Sequence, residues 1–219
     1  MAEQQNDSLL REIDDELRQE QMNQVWGRYG KAFVGAALVL VIGVGGYQYW
    51  VKHDRETREA LGERFAQGQQ LAVGGKPAEA ENAFRKLAAE GGGYGLLARF
   101  QAAALLAGQG NTDEAVQAYA GIASGSGIDP LYKGLAELLG AALQLNAKDG
   151  DPAAVRAKLK PLMADDGPWR YSARELAAVA YMKEGDHKQA RSLYDALLKD
   201  AATPQRMRSR ATEILTILR

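Results

Sequence analysis

The stretch Ala32–Val51 most limits what this chain can fold into, because it contains no charged side chain. As an α-helix it would span roughly 30 Å, which is the thickness of the hydrocarbon core of a bilayer. Inside lipid the backbone must satisfy its own hydrogen bonds, so a helix is the expected structure. Aromatic side chains, which favour the headgroup region, lie near both ends: Trp26, Tyr29, Phe33, Tyr47, Tyr49 and Trp50.

Two other interpretations of this stretch are weaker. A helix buried in a globular core seldom contains so many uncharged residues in succession. A cleavable signal peptide would have a short basic leader and small residues at its cleavage site. Here residues 1–31 hold seven acidic and four basic side chains, and the stretch ends on bulky aromatic residues. We therefore predict a partly helical tail at residues 1–31, a transmembrane signal anchor at 32–51 and a repeat domain at 52–219.

The charges on either side of the predicted anchor do not orient it. Lysine and arginine are nearly balanced across it, so the positive-inside rule favours neither topology. Within the stretch, small residues share one helical stripe, and such stripes let two membrane helices approach closely. The candidate pairing stripe comprises Ala32, Ala36, Gly43 and Gly46.

The rest of the chain repeats one pattern four times, with glycines spaced 35, 40 and 35 residues apart. In each copy a small residue follows the glycine by five positions, a bulky apolar residue comes four later, and an aliphatic residue three after that. The four copies are Gly75-x4-Ala80-x3-Phe84-x2-Leu87, Gly110-x4-Ala115-x3-Tyr119-x2-Ile122, Gly150-x4-Val155-x3-Leu159-x2-Leu162 and Gly185-x4-Ala190-x3-Tyr194-x2-Leu197.

This pattern resembles the tetratricopeptide repeat, in which pairs of helices stack with a period of about 34 residues. We predict an all-α fold in which the transmembrane helix precedes a solenoid of about four helix pairs and a C-terminal capping helix. Helix starts are indicated at Asn111 with Glu114, and at Asp129, Asp151 and Thr203, each of which precedes a proline. The first helices of the pairs and the final helix are predicted at Arg58–Val73, Tyr94–Ala107, Pro130–Asn146, Pro168–Lys183 and Pro204–Leu218. The longer third spacing indicates an irregular repeat.

No pattern in the sequence indicates catalysis, and we predict that the chain is not an enzyme and binds no cofactor or metal. The absence of cysteine excludes disulfides and thiolate chemistry. His53 and His187 lack a second ligand at the spacing of a zinc site. The glycine run Gly91–Gly93 is not followed by the lysine and hydroxyl residue of a phosphate-binding loop.

The inward face of the first helices is the remaining candidate for function. Counted from the repeat glycines, it carries apolar side chains instead of the lysine and asparagine that grip a peptide carboxylate in co-chaperone repeats. An apolar strip of this kind suits an extended hydrophobic peptide or a partner's surface, and the alternative is that its aromatic residues only pack between helices. The candidate groove residues are Phe65, Gln69, Leu97, Phe100, Gln144, Val179 and Met182.

The whole layout is similar to that of the YfgM-like ancillary subunits of the bacterial Sec translocon. The resemblance covers roughly residues 25–219 and is carried by four motifs: Tyr47-Gln-Tyr49-Trp50-Val-Lys-His53, Tyr94-Gly95-x-Leu97-Ala98, Gly185-Asp186-x2-Gln189-Ala190-Arg191-Ser192-x-Tyr194 and Thr203-Pro204. The longer, acidic N-terminal tail departs from that family's pattern.

The resemblance implies a single-pass inner-membrane protein with a cytoplasmic tail and a periplasmic repeat domain. It also implies association with the SecYEG translocon and with a membrane-anchored periplasmic chaperone of the prolyl-isomerase type, in support of newly exported envelope proteins. Two alternatives stay open. One is an envelope-assembly or cell-division scaffold that does not touch the translocon, and the other is an accessory subunit that orients a partner enzyme.

Overall fold

The computed structural model describes the backbone of residues 2–218 and the side chains of residues 26–28, 30–35 and 38–218. Its contacts divide the chain into two units, one ending at Ala60 and the other beginning at Leu61. The described residues form nine α-helices and no strand. The helices are α1 Ala2–Val73, α2 Pro77–Ala89, α3 Gly92–Gly108, α4 Thr112–Ala123, α5 Pro130–Asn146, α6 Pro152–Leu159, α7 Arg170–Lys183, α8 His187–Lys199 and α9 Gln205–Ile217, with a 3₁₀ helix at Lys160–Met163.

The first unit consists of α1 up to Ala60, and it includes the predicted anchor. From Gly30 onward α1 contains a segment that is long and apolar enough to cross a membrane. Large apolar side chains project from it, and Phe33, Ile42 and Tyr49 are all more than two-thirds exposed. This exposure suits a helix surrounded by lipid instead of protein.

The second unit is a succession of helix pairs, and it confirms the predicted all-α repeat fold. From α2 to α9, each helix packs against the next one along the chain. Eleven of the twelve residues predicted to recur in the repeat are buried, each at most 5% exposed: Ala80, Phe84, Leu87, Ala115, Tyr119, Ile122, Val155, Leu159, Ala190, Tyr194 and Leu197. The exception is Leu162 of the third copy, which is only partly buried. The predicted capping role of the last helix is also confirmed, since Ile214, Leu215 and Leu218 cover the cluster around Tyr194.

Two of the four predicted helix starts carry the expected cap. Asp129 accepts a hydrogen bond from the amide of Leu131 (2.8 Å), and Asp151 accepts from Ala153 and Ala154 (2.9 and 3.2 Å). The predicted caps at Asn111 and Thr203 are wrong. Asn111 makes no side-chain cap, and Pro204 itself precedes α9 while the buried Thr203 hydroxyl has no partner.

Candidate interaction surface

An exposed apolar patch lies at the beginning of α3 and α5, and we call it the α3–α5 patch. Tyr94, Leu96, Leu97 and Tyr132, together with Gly93, line a cleft of about 240 Å³ there. Leu97 is 43% exposed and Tyr132 is 40% exposed, which is unusual for large apolar side chains within the repeat unit. Leu131, next to Tyr132, is 43% exposed. Clustered exposed apolar surface of this kind marks interaction sites more often than single exposed residues do.

The first turn of α5 is held from two sides, so the patch has a defined geometry. The Asp129 carboxylate caps the amide of Leu131, and the indole Nε1 of Trp169 donates to the carbonyl oxygen of Leu131 at 2.8 Å. Trp169 immediately precedes α7. The start of α5 is therefore tied to the neighbouring helix pair, and Tyr132 is presented on a fixed backbone.

Two of the predicted groove residues, Phe65 and Phe100, pack between helices. The Phe65 ring lies 5.5 Å from the ring of Phe84 and 6.0 Å from that of Tyr94, and both pairs are tilted. The Phe100 ring lies 6.0 Å from that of Tyr119. Such aromatic pairs stabilise helix packing. Phe65 thus reaches the α3–α5 patch through Tyr94, and Leu97 lies in the patch itself.

The other predicted groove residues lie apart from one another. Gln69 is exposed on α1. Val179 packs against the core cluster shared by α5, α6 and α7, and Met182 packs against the cluster around Tyr194. The Gln144 side-chain oxygen accepts a hydrogen bond from Lys158 Nζ at 2.7 Å, beside a cleft that also borders α4.

Leu131 and Tyr132 were not predicted as candidate residues. Both fall in the first turn of α5, directly after Pro130, and outside the buried register of the repeat. Two bulky apolar residues in a capped first turn are the sequence signal that could have identified them, because no repeat position requires them there.

The small-residue stripe of α1 is open where it is described. A Cβ atom added at Gly43 or Gly46 would meet nothing within 4 Å, and Ala32 is exposed. The side chain of Ala36 lies outside the described residues. The stripe stays a prediction of a helix-pairing face.

A bidentate ion pair joins α7 to α9. Arg210 forms two hydrogen bonds to Glu175, Nε to Oε1 at 2.7 Å and Nη2 to Oε2 at 2.8 Å. Burial, and then the charge of Glu175, raise the pKa of Tyr194 to about 12, while the charge of Arg210 opposes the shift. Tyr194 is fully buried within the cluster that α9 covers, so its ring is a packing residue of the fourth pair.

Within the part of the chain whose side chains are described, no three His, Asp or Glu side chains are grouped as metal ligands would be. The perturbed carboxylate of Asp200 also has a structural explanation. The Ala202 amide, and then the Tyr171 hydroxyl, lower the pKa of Asp200 by hydrogen bonding to it, and these contacts order the turn between α8 and α9.

Comparison with known proteins agrees with this architecture. The family model described as "Tetratricopeptide repeat-like domain" matches residues 23–215. The protein of Escherichia coli (strain K12) named "Ancillary SecYEG translocon subunit" is 28% identical over 191 residues, which cover 84% of this chain and 87% of the relative. The resemblance inferred from the sequence motifs is thereby confirmed.

Proposed function

This chain belongs to the family of tetratricopeptide repeat-like domains, and we propose that it is a membrane-anchored scaffold that binds other proteins and performs no catalysis. The repeat unit offers exposed apolar surface at the α3–α5 patch. Repeat solenoids commonly function through such extended binding surfaces. The perturbed ionisable groups Tyr194 and Asp200 have structural explanations, which supports a binding function over a catalytic one.

The partner that we propose is the SecYEG translocon. The observation that carries this proposal is the match to the Escherichia coli ancillary translocon subunit over most of both chains. The range matched by the family model, residues 23–215, includes the apolar segment Ala32–Val51 as well as the repeats. The combination of anchor and repeats thus belongs to one family pattern, which supports a function beside a membrane machine.

The finer assignment follows the family resemblance. Residues 1–31 form a cytoplasmic tail, 32–51 cross the inner membrane and 52–219 lie in the periplasm. There the repeat domain links the translocon to a membrane-anchored chaperone of the prolyl-isomerase type and assists newly exported envelope proteins. The α3–α5 patch, with Phe65 behind Tyr94, supplies apolar contact area for these partners or clients.

Site-specific crosslinking from native membranes tests the proposed partner. A photoreactive residue placed at Leu97, in the patch, is compared with one at Ala89, which is exposed at the end of α2. We expect translocon subunits among the proteins crosslinked from position 97 and identified by mass spectrometry, with much lower yield from position 89. Crosslinks only to outer-membrane or division proteins, or to one partner enzyme, would replace the translocon with the corresponding alternative.

Protease protection tests the proposed orientation. A C-terminal tag should be digested in spheroplasts, in which the periplasmic face of the inner membrane is open to protease. It should be protected in intact inverted membrane vesicles, in which the cytoplasmic face is outside. Digestion only in the inverted vesicles would show the opposite topology.

Trp169 reports on the patch because its indole is bonded to Leu131. Titration with an apolar peptide should give a saturable change in tryptophan fluorescence that Trp169→Phe removes. Leu97→Glu should weaken binding by about tenfold, as expected for the loss of one apolar anchor, whereas Arg99→Glu on the same helix should change it little. An equal effect of the two substitutions would exclude the patch as the peptide site.

A further inference from the structure

Residues 52–60 of α1 follow the predicted anchor directly, and we call them the charged segment. Six of these nine residues are charged at neutral pH, and Ala60 is the only apolar one. None of them is buried, and all except Asp54 are exposed. The first residue of α1 that packs against a core cluster of the repeat unit is Leu61, which follows the segment. The charged segment is therefore helical without a protein core to stabilise it.

Ion pairs within the segment are its main support. A helix that is polar on every side is stable only where it bridges two domains or where many pairs of opposite charge lie four residues apart. Here all six charges form such pairs, with N–O distances of 3.8 Å for Lys52 and Glu56, 3.6 Å for Arg55 and Glu59, and 2.9 Å for Arg58 and Asp54. Each pair favours the helix by about twofold. Because the pairs are exposed, salt screens this support.

The order of the charges weakens the support further. An acidic residue pairs better with a basic residue four positions later than with one four positions earlier, which is consistent with the direction of the helix dipole. Only the pair of Asp54 and Arg58 has the favourable order, and it is the shortest of the three. The other two pairs have the reverse order and are longer.

Thr57 lowers the stability of the same segment. A β-branched residue loses side-chain freedom in a helix. The Thr57 hydroxyl also donates to the carbonyl oxygen of His53 at 2.9 Å, and a bond of this kind slightly destabilises a helix and often bends it. Further along α1, by contrast, the Phe65 ring packs against those of Phe84 and Tyr94. Packing thus stabilises α1 from Leu61 onward, whereas exposed ion pairs stabilise the charged segment.

We propose that the charged segment is a hinge at which α1 opens locally, and that its three ion pairs determine how often it opens. Opening is possible here because the segment has few packing contacts and the freed backbone groups are solvated at once. An open segment lets the repeat domain follow a moving partner while the anchor stays in the bilayer. Rising salt screens the pairs and favours the open state.

Hydrogen exchange of the full-length protein in detergent, measured by mass spectrometry, tests the hinge. At about 0.01 M salt, amides 53–60 should exchange about tenfold faster, or more, than amides 65–72 of the same helix. At about 1 M salt the screening length falls to about 3 Å. Exchange of the charged segment should then rise by about threefold to fivefold, as expected for the loss of three weak pairs.

An ion pair of the same spacing in a packed helix is the internal control. Glu81 and Arg85 pair in α2, and another face of that helix buries Ala80, Phe84 and Leu87. Exchange in α2 should change little with salt, because packing and not the ion pair determines how often α2 opens.

Two double variants of unchanged net charge separate the ion pairs from the general effect of salt. Arg55→Glu with Glu59→Arg gives this pair the favourable order, and it should slow exchange of the charged segment by about twofold. Asp54→Arg with Arg58→Asp reverses the best pair, and it should speed exchange by about twofold. Both differences should disappear at about 1 M salt.

Three results would overturn the proposal. The first is equal exchange of amides 53–60 and 65–72, because α1 would then be equally stable on both sides of residue 61. The second is a response to salt that is as large in α2 as in the charged segment. The third is equal exchange in the two double variants at low salt, because the ion pairs would then not control opening. None of these results depends on whether the translocon is the partner.

Discussion

In three of the four helix pairs the same kind of turn connects the two helices, and in the third pair the connection is different. Gly75, Gly110 and Gly185 have positive φ values of 75°, 83° and 79°, and each lies two residues after the end of its helix. Gly150 lacks a positive φ and lies four residues after α5 ends at Asn146. The regular pairs use the left-handed glycine turn that commonly ends a helix, whereas the third pair uses a longer connection.

The second helix of the third pair differs as well. α6 ends at Leu159, while α2, α4 and α8 continue past the equivalent aromatic residue. Pro161 explains the early end, because it has no amide hydrogen to continue the helix, and Leu162 falls in the 3₁₀ helix that follows. The third pair is therefore irregular both in its turn and in its second helix.

The largest expected effect is on the packing that the regular pairs share. Phe84→Ala should lower the free energy of unfolding by about 3–5 kcal/mol. The ring packs directly over Gly68, where a Cβ atom would lie 2.7 Å from Phe84 Cε1, so Gly68 has no side chain that could move into the vacated space. Leu159→Ala in the third pair should cost less, at the lower end of about 2–5 kcal/mol. Urea unfolding of the full chain in detergent, followed by circular dichroism, measures both.

A double substitution separates this packing from helix propensity. Gly68→Ala alone should destabilise the chain by about 1–3 kcal/mol, because the added methyl group meets the Phe84 ring. In a Phe84→Leu background the cost of Gly68→Ala should fall by at least about 1 kcal/mol. If the costs of the two substitutions simply add, the close contact between residue 68 and the Phe84 ring is not the cause of the destabilisation.

The sequence predicted the regular pairs well because their register follows directly from the glycine. Small residues at Ala80, Ala115 and Ala190 are all 0% exposed, as the close approach of paired helices requires. Local chemistry and tertiary packing indicate the same structure at these positions, so pattern counting succeeds.

Counting from the glycine is shifted in the third pair for a geometric reason. Gln144 was placed in the predicted groove six residues before Gly150, as Gln69 was before Gly75. Because α5 ends two residues earlier relative to its glycine, the count is two residues out, which is about 200° around a helix. Gln144 therefore contacts Lys158 of α6. The exposed Leu131 and Tyr132 depend on how α3 and α5 approach each other, which no repeat position encodes.

The next effect concerns pH and the buried phenol of the fourth pair. The pKa of Tyr194 is about 12 in the fold and 10.0 when unperturbed. Between these values the unfolded chain has lost the proton that the folded chain keeps, so rising pH favours unfolding. Stability should fall by at most about 1.4 kcal/mol per pH unit between pH 10 and 12.

Tyr194→Phe is the control for this pH dependence. It removes the titrating group, whose hydroxyl has no hydrogen-bond partner in the described structure, and it should make the decline above pH 10 shallower. Denaturation of both proteins at pH 8 and pH 11 measures the difference in the free energy of unfolding. An identical decline in both proteins would assign the effect to other groups.

A smaller effect distinguishes the two kinds of turn. Gly185→Ala should cost about 1–2 kcal/mol because a side chain is strained at positive φ, and Gly185→Asn should recover part of this, since asparagine tolerates that conformation. At Gly150 the obstacle is different, because any Cβ would lie 2.2 Å from the carbonyl oxygen of Gln144. There asparagine should be no better than alanine. Melting temperatures of the four variants decide the matter, and rescue by asparagine at both sites would make the turns equivalent.

The smallest expected effect tests whether one residue makes the third pair irregular. Pro161→Ala restores a backbone amide, so α6 should continue through residues 160–163 as an α-helix, and the free energy of unfolding should change by less than about 1 kcal/mol. Hydrogen exchange should show new protection of amides 161–164. Pro152→Ala is the control, because the first position of a helix needs no amide donor. Unchanged exchange after Pro161→Ala would mean that the long connection at 147–150, and not the proline, determines the length of α6. Protection would instead show that Pro161 alone determines where α6 ends, although the long connection before the helix is unchanged.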